Sequence, residues 1–127
     1  MHKIAVYGSL KKGFYNHDGF NLGEPLTTGV VRGAMYLAGS YPWLLEPCNT
    51  EESLCRDHVV EIYEIDDYKY DSITRMEVGA GYYPKTITIA CQDGQEHEAD
   101  IYFTHPTTGN RNRYIEEYSV ATLRANY

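Results

Sequence analysis

Apolar residues recur along five short stretches of this chain, either as runs or in alternation with polar residues. Both patterns are typical of β-strands with a buried face. The predicted strands cover residues 4–7, 29–38, 58–65, 86–91 and 98–104. Asp93-Gly94 separates the last two and predicts a tight hairpin, so that these strands should pair in antiparallel fashion.

The segments between the strands carry other patterns. Residues 39–43 predict a turn that leads into Leu44-Leu45, and residues 46–57 predict an acidic loop. Asp66-Asp67 can cap a helix of about eleven residues, and Gly79 and Gly81 should end it. A second, C-terminal helix is expected from residue 112 onward. It should cover the core through Tyr114, Ile115, Tyr118 and Leu123.

Together these elements predict one α+β domain over residues 1–127, with five or six strands and two or three helices. The length of 127 residues suits a single domain with its own hydrophobic core. No internal repeat or low-complexity segment divides the sequence. Thirteen tyrosines against three phenylalanines suit either a half-hydrated cavity or strands in general.

Net charge and composition bear on the binding partners and the cellular compartment of this protein. The formal net charge of −7 disfavours general affinity for nucleic acids or anionic membranes. No apolar run is long enough to cross a bilayer, and no apolar leader follows Met1. The three cysteines argue against a disulfide framework and favour a reducing compartment. We therefore expect a cytoplasmic protein. The sequence makes no prediction of its oligomeric state.

The first candidate site lies where the first strand meets Gly8-Ser9. Backbone N–H groups in such a turn can bind an anion, and Lys11 and Lys12 add positive charge nearby. The alternative is an ordinary turn after a strand. His17 and Asp18 follow, but they lack the spacing of metal ligands to any other histidine, so no metal site is predicted.

The second candidate is Glu77 in the last turn of the predicted helix. Helical geometry places it on the same face as Tyr70 and Ile73, which should be buried. Burial of a carboxylate without a partner is costly, and one response is a raised pKa. The alternative is a side chain that bends toward water and pairs with Arg75 or Lys85.

Three features in this order resemble the γ-glutamylcyclotransferase-like, or AIG2-like, family. They are the strand and turn Val6-Tyr7-Gly8-Ser9-Leu10 with Gly13, the segment Gly39-Ser40-Tyr41-Pro42, and a glutamate on a helix that ends just before a tyrosine-led strand. The resemblance covers roughly residues 3–105. The chain departs from the family pattern at Ile73-Thr74, Val78, Val60-Glu61 and Lys85. These changes leave Glu77 intact and bear on the shape of the pocket.

The resemblance implies a small mixed β-barrel surrounded by helices. It also implies that Glu77 is the catalytic general acid/base. The substrate-binding residues that it implies are Tyr7, Gly8, Ser9, Leu10, Tyr83 and Tyr102. Ser9 would bind substrate rather than act as a nucleophile, since no histidine or lysine is placed to activate it.

The implied reaction converts a small γ-glutamyl amine or γ-glutamyl amino acid to 5-oxoproline and a free amine, without cofactor or metal. Residues 7–13, followed by Asn16-His17, are most similar to the γ-glutamylamine branch. A different class of function stays open at this point. A non-catalytic module could use the same cavity to bind or sequester a small ligand.

Overall fold

The computed structural model describes residues 1–8, 19–38, 41–105 and 113–115. Two short 3-10 helices, Pro47–Asn49 and Glu52–Leu54, link the third strand to the fourth. The other elements are β1 (His2–Val6), β2 (Thr27–Ala38), β3 (Tyr41–Leu45), β4 (Arg56–Ile65), α1 (Asp67–Gly79), β5 (Tyr82–Ala90), β6 (Glu96–Thr104) and β7 (Arg113–Ile115).

The strands form one mixed sheet in the order β3-β2-β4-β1-β6-β5, with β7 paired to β2. The β1–β6 pair is parallel, and the other pairs are antiparallel. A bridge between Gly29 in β2 and Cys91 just after β5 brings the far edge of the sheet back toward β2. The sheet is therefore curled into a half-barrel, which confirms the α+β class and the mixed barrel-like architecture, with seven strands among the residues that the structure describes instead of the five or six predicted.

The core lies between the curled sheet and α1. Ile4, Val60, Ile62 and Ile101 from the three central strands are fully buried, and Ile73 of α1 packs against them. Alternation along β4 and β6 predicted their buried faces only in part, since residues 101–104 of β6 and both Ile62 and Tyr63 of β4 are buried.

The predicted helix after Asp66 is confirmed, at thirteen residues instead of about eleven. The Asp66 side chain accepts a hydrogen bond from the Lys69 backbone N–H at 2.7 Å, which satisfies one of the free donors at the helix start. After Gly79 the chain turns through Gly81, whose φ of 99° is readily adopted only by glycine. This turn delivers the chain directly into β5.

The predicted turn over residues 39–43 is wrong for its second half. Residues 41–45 form β3, which pairs with β2 in the register Tyr36↔Trp43 and Leu37↔Pro42. Pro42 suggests a turn in isolation, but β3 lies at one end of the main strand order, where a missing N–H donor is tolerated.

The predicted C-terminal helix is also wrong where the structure describes it. Residues 113–115 form β7, which pairs with Met35–Leu37 of β2, and the Ile115 side chain is buried. The Tyr114 hydroxyl donates to the Leu54 carbonyl oxygen at 2.9 Å. Pairing with a distant strand has overridden the helical spacing of the apolar residues. Tyr118 and Leu123 lie outside the described residues.

The three cysteines form no disulfide: Cys48 is exposed, Cys55 buried and Cys91 half-buried. Within the described parts of the chain, α1 is too short and too polar to span a bilayer, and no other helix there could do so.

Candidate active site

Tyr7, one of the predicted substrate-binding residues, directly follows β1 and is buried. Its hydroxyl donates a hydrogen bond to the backbone oxygen of Tyr102 in β6. Burial raises the pKa of Tyr7 well above its ordinary value, and Tyr82 and Glu77 raise it further. An electrostatic effect of this kind requires proximity. The structure thus brings Tyr7, Tyr102 and Glu77 together from three separate elements.

Glu77 lies in the last turn of α1, one helical turn beyond the fully buried Ile73, and is itself half-buried. Burial raises the pKa of its carboxyl group to about 7, and no partner charge or hydrogen bond contributes to the shift. Lys85, which the alternative interpretation paired with Glu77, is bound instead to Glu46. The buried-face interpretation of Glu77 agrees with this geometry.

The hydroxyl group of Tyr102 is held by α1. It lies 2.6 Å from the Thr74 hydroxyl, one helical turn before Glu77. Burial raises the pKa of Tyr102, the Thr74 hydrogen bond partly offsets this effect, and Tyr70 and Glu77 add to the increase. Thr74 is one of the positions that depart from the family pattern, and here it orients a tyrosine at the site.

A network of polar side chains around Asp100 joins α1 to the sheet near Tyr102. The Tyr70 hydroxyl donates to Asp100 of β6, and the Thr86 hydroxyl donates to the other Asp100 oxygen at 2.5 Å. These contacts join α1, β5 and β6 on the side where Tyr102 approaches Thr74. They stabilise the position of the helix relative to the sheet.

The turn after Tyr7 is in close contact with β3. A Cβ atom at Gly8 would lie 2.8 Å from Cγ of Pro42, too close for any side chain without a shift. The Pro42 carbonyl oxygen accepts a hydrogen bond from the Tyr82 hydroxyl at 2.6 Å. Sequence reasoning named Gly8, and Pro42 only as part of the family-like segment; it missed the contact of Pro42 with Gly8 and the hydrogen bond from Tyr82 to Pro42. Ser9 and Leu10 lie outside the described residues, as do Lys11, Lys12, His17 and Asp18, so their roles stay predictions.

Tyr83, another of the predicted substrate-binding residues, lies at the start of β5. It lies close enough to Tyr7 to raise the pKa of that residue. Its ring packs near His105, with the two ring centroids 4.8 Å apart, and its hydroxyl donates to Oε1 of Glu46. The Lys85 Nζ lies 2.5 Å from Oε2 of the same carboxylate. The sequence analysis assigned Glu46 to an acidic loop and missed it. Its one signal was its place directly after the core residues Leu44 and Leu45.

Glu77 and the nearby tyrosine hydroxyl groups are chemically suited to proton transfer to or from a polar ligand. A carboxyl group with a pKa near 7 can accept or donate a proton at neutral pH, and the tyrosine hydroxyls around it can orient a ligand. Over the described ranges, no three of the His, Cys, Asp and Glu side chains group in a way that could hold a metal ion.

Comparison with known proteins identifies relatives over most of the chain. A family model described as "Gamma-glutamyl cyclotransferase, AIG2-like" matches residues 4–120. A protein of Methanocaldococcus jannaschii named "Putative gamma-glutamylcyclotransferase MJ1514" is 34% identical over 116 residues, which cover 86% of this chain and 89% of that protein.

Solved structures share the fold at lower sequence identity. The crystal structure of protein PH0828 from Pyrococcus horikoshii matches with a TM-score of 0.67 and 21% identity, over 99% of this chain and 95% of that one. An AIG2-like protein from Mus musculus matches with a TM-score of 0.65 and 23% identity, over 94% of this chain and 88% of that one.

Proposed function

This chain belongs to the gamma-glutamyl cyclotransferase, AIG2-like family, and on that premise we propose that it converts a γ-glutamyl amine or γ-glutamyl amino acid to 5-oxoproline and a free amine. The reaction is an intramolecular aminolysis. The α-amino nitrogen of the glutamyl group attacks its own γ-carbonyl carbon, a C–N bond closes the five-membered ring, and the original γ-amide C–N bond breaks.

Positioning provides much of the catalysis in such a reaction. The nucleophile and the electrophile belong to one molecule, and well-oriented intramolecular reactions reach effective molarities of about 10⁵–10⁸ M. The protein therefore has to hold the glutamyl group in a folded conformation. We assign this task to Tyr7, Gly8, Tyr83 and Tyr102, and to Ser9 and Leu10 through their backbone N–H groups.

Proton transfer is the second task, and we assign it to Glu77. At neutral pH the α-amino group is an ammonium group, which cannot attack a carbonyl carbon. Ring closure takes two protons from this nitrogen, since an ammonium group becomes the N–H of a lactam. Glu77 accepts one of them and returns it to the leaving nitrogen, and the other protonates the released amine through solvent, so no net proton is left on the enzyme. The observation that carries the proposal is the half-buried Glu77 carboxyl, whose pKa near 7 suits both steps.

The substrate class that we favour is the γ-glutamylamines, on the similarity of residues 7–13 to that branch of the family. We also propose that the protein acts in the reducing cytoplasm, which is compatible with its three free cysteines.

The test follows release of 5-oxoproline from a panel of γ-glutamyl amines and γ-glutamyl dipeptides. We expect turnover by the wild type, and a fall in kcat of about 10²- to 10⁴-fold in Glu77→Gln, which keeps the size of the side chain but cannot accept a proton. Glu98→Gln replaces an exposed glutamate of β6 and should retain full activity.

Two results would overturn the assignment. Undiminished turnover in Glu77→Gln would exclude Glu77 as the base. Thermal stabilisation of the wild type by these compounds without any 5-oxoproline release would instead identify a ligand-binding module.

A further inference from the structure

The Glu46 carboxylate occupies an unusual position for a charged group. It follows β3 directly, and its side chain turns inward toward β5, with only 12% of its surface exposed. Both oxygens have partners, since Oε1 accepts from the Tyr83 hydroxyl and Oε2 from the Lys85 ammonium group. Tyr83 and Lys85 are two residues apart on β5, so their side chains leave the strand on the same face.

The group is ionised. Burial raises the pKa of Glu46, but the hydrogen bonds from Lys85 and then Tyr83 outweigh that effect and hold the pKa below its ordinary value. An ionised carboxylate carries no proton, so it can only accept. The direction of the hydrogen bond to Tyr83 is therefore fixed, with the phenol as donor.

A phenol has one proton to donate, and Tyr83 gives that proton to Glu46. Burial and the hydrogen bond to Glu46 raise the pKa of Tyr83, so the phenol does not ionise at neutral pH. The Tyr83 oxygen has two lone pairs, and donation to Glu46 uses neither of them. A lone pair can therefore serve a ligand.

We infer that Glu46 is a positioning residue that holds the Tyr83 hydroxyl as a hydrogen-bond acceptor for an N–H group of the substrate. This rests on the proposed function, in which Tyr83 contacts substrate. The N–H groups that a γ-glutamyl amine offers are its α-ammonium group and its γ-amide. A hydroxyl group free to rotate could point its proton at these N–H groups, which cannot accept it, whereas the Glu46-bound Tyr83 presents its oxygen to them. Lys85 provides the counter-charge that keeps the buried carboxylate ionised.

A double-mutant cycle tests this inference. The variants are Glu46→Gln, Tyr83→Phe and the double variant, with Glu98→Gln as the exposed control. Tyr83→Phe removes the acceptor, and Glu46→Gln removes the charge that fixes its direction. We expect each single variant to raise KM about tenfold, the equivalent of one hydrogen bond of about 1.4 kcal/mol, with kcat changed less than threefold. The double variant should resemble Tyr83→Phe, because Glu46 acts only through that hydroxyl.

The inference would be overturned if KM of the double variant rose by the product of the two single-variant factors. It would also be overturned if Glu46→Gln lowered kcat strongly and left KM unchanged. A second readout does not need turnover. In protein labelled with ¹³C at tyrosine Cζ, the Tyr83 resonance, identified by its loss in Tyr83→Phe, should move in Glu46→Gln and stay in place in Glu98→Gln. An unmoved resonance would contradict the Glu46–Tyr83 contact itself. Absence of wild-type turnover with a moved resonance would overturn the proposed function instead.

Discussion

At the scale of single residues, the raised pKa of Glu77 suits it to proton transfer but lowers the stability of the folded protein at neutral and higher pH. A half-buried carboxyl group with a pKa near 7 is favoured in its neutral form by the fold. The unfolded chain holds the same group at its ordinary pKa of 4.5. Between these two values the unfolded chain has released a proton that the folded chain retains. Rising pH therefore favours the unfolded state, and the cost is complete above pH 7.

Replacement of Glu77 by glutamine removes this cost, because the amide is neutral at every pH. We expect Glu77→Gln to be stabilised relative to wild type, with its gain in the free energy of unfolding about 2 kcal/mol larger at pH 8 than at pH 5. Urea unfolding at both pH values measures the difference, and Glu98→Gln should show none. An equal difference at pH 5 and pH 8 would mean that Glu77 is not desolvated in the folded protein.

Residues of the site differed in how far the sequence could reveal them. Helical spacing from Ile73 placed Glu77 on a buried face, and the Gly8 turn followed from a strand that ended in small residues. Glu46 could not be found this way, because its partners Tyr83 and Lys85 lie 37 and 39 residues further along the chain. β3 and β5 stand at opposite ends of the strand order, so it is the curling of the sheet that brings these residues together.

At the scale of elements, local patterns predicted α1 and the β5–β6 hairpin, since each depends on residues close in sequence. The Asp66 cap, the Gly81 turn and Asp93-Gly94 all act locally. The two wrong predictions, over residues 41–43 and 113–115, concern strands whose pairing to β2 outweighs local preference. β3 contains a proline, and the apolar residues in and after β7 are spaced as in a helix, so neither short segment shows locally that it pairs with β2.

Strand β2 also provides a test of the half-barrel. A Cβ atom at Gly29 would lie 2.6 Å from Cγ2 of Ile89 and 2.9 Å from the Ala90 carbonyl oxygen. We expect Gly29→Ala to lower the free energy of unfolding by about 1–3 kcal/mol, since the backbone of β5 would have to move. The matched control is Gly79→Ala in α1, where nothing lies within 4 Å, and where alanine should be neutral or stabilising by up to about 1 kcal/mol. Equal effects on the two midpoints in urea would contradict the close contact between β2 and β5.

At the scale of the whole molecule, the site depends on contacts between distant parts of the chain. The parallel β1–β6 pair sets Tyr7 beside Tyr102, and α1 places Glu77 near enough to raise the pKa values of both. The alternation of residues predicted the α+β class, and the resemblance added the mixed barrel, but the strand order could not be derived from local patterns. Family membership and this geometry both support the proposed role of the half-buried Glu77 carboxyl group near Tyr7 and Tyr102.

The pH dependence of kcat/KM for 5-oxoproline formation tests this account most directly, because kcat/KM reports the ionisation of groups in the free enzyme. The account predicts that kcat/KM rises tenfold per pH unit at low pH and levels off with an apparent pKa near 7, the value that burial imposes on Glu77. A profile that is already level at pH 5.5, with its inflection near 4.5, would contradict a desolvated Glu77 as the base.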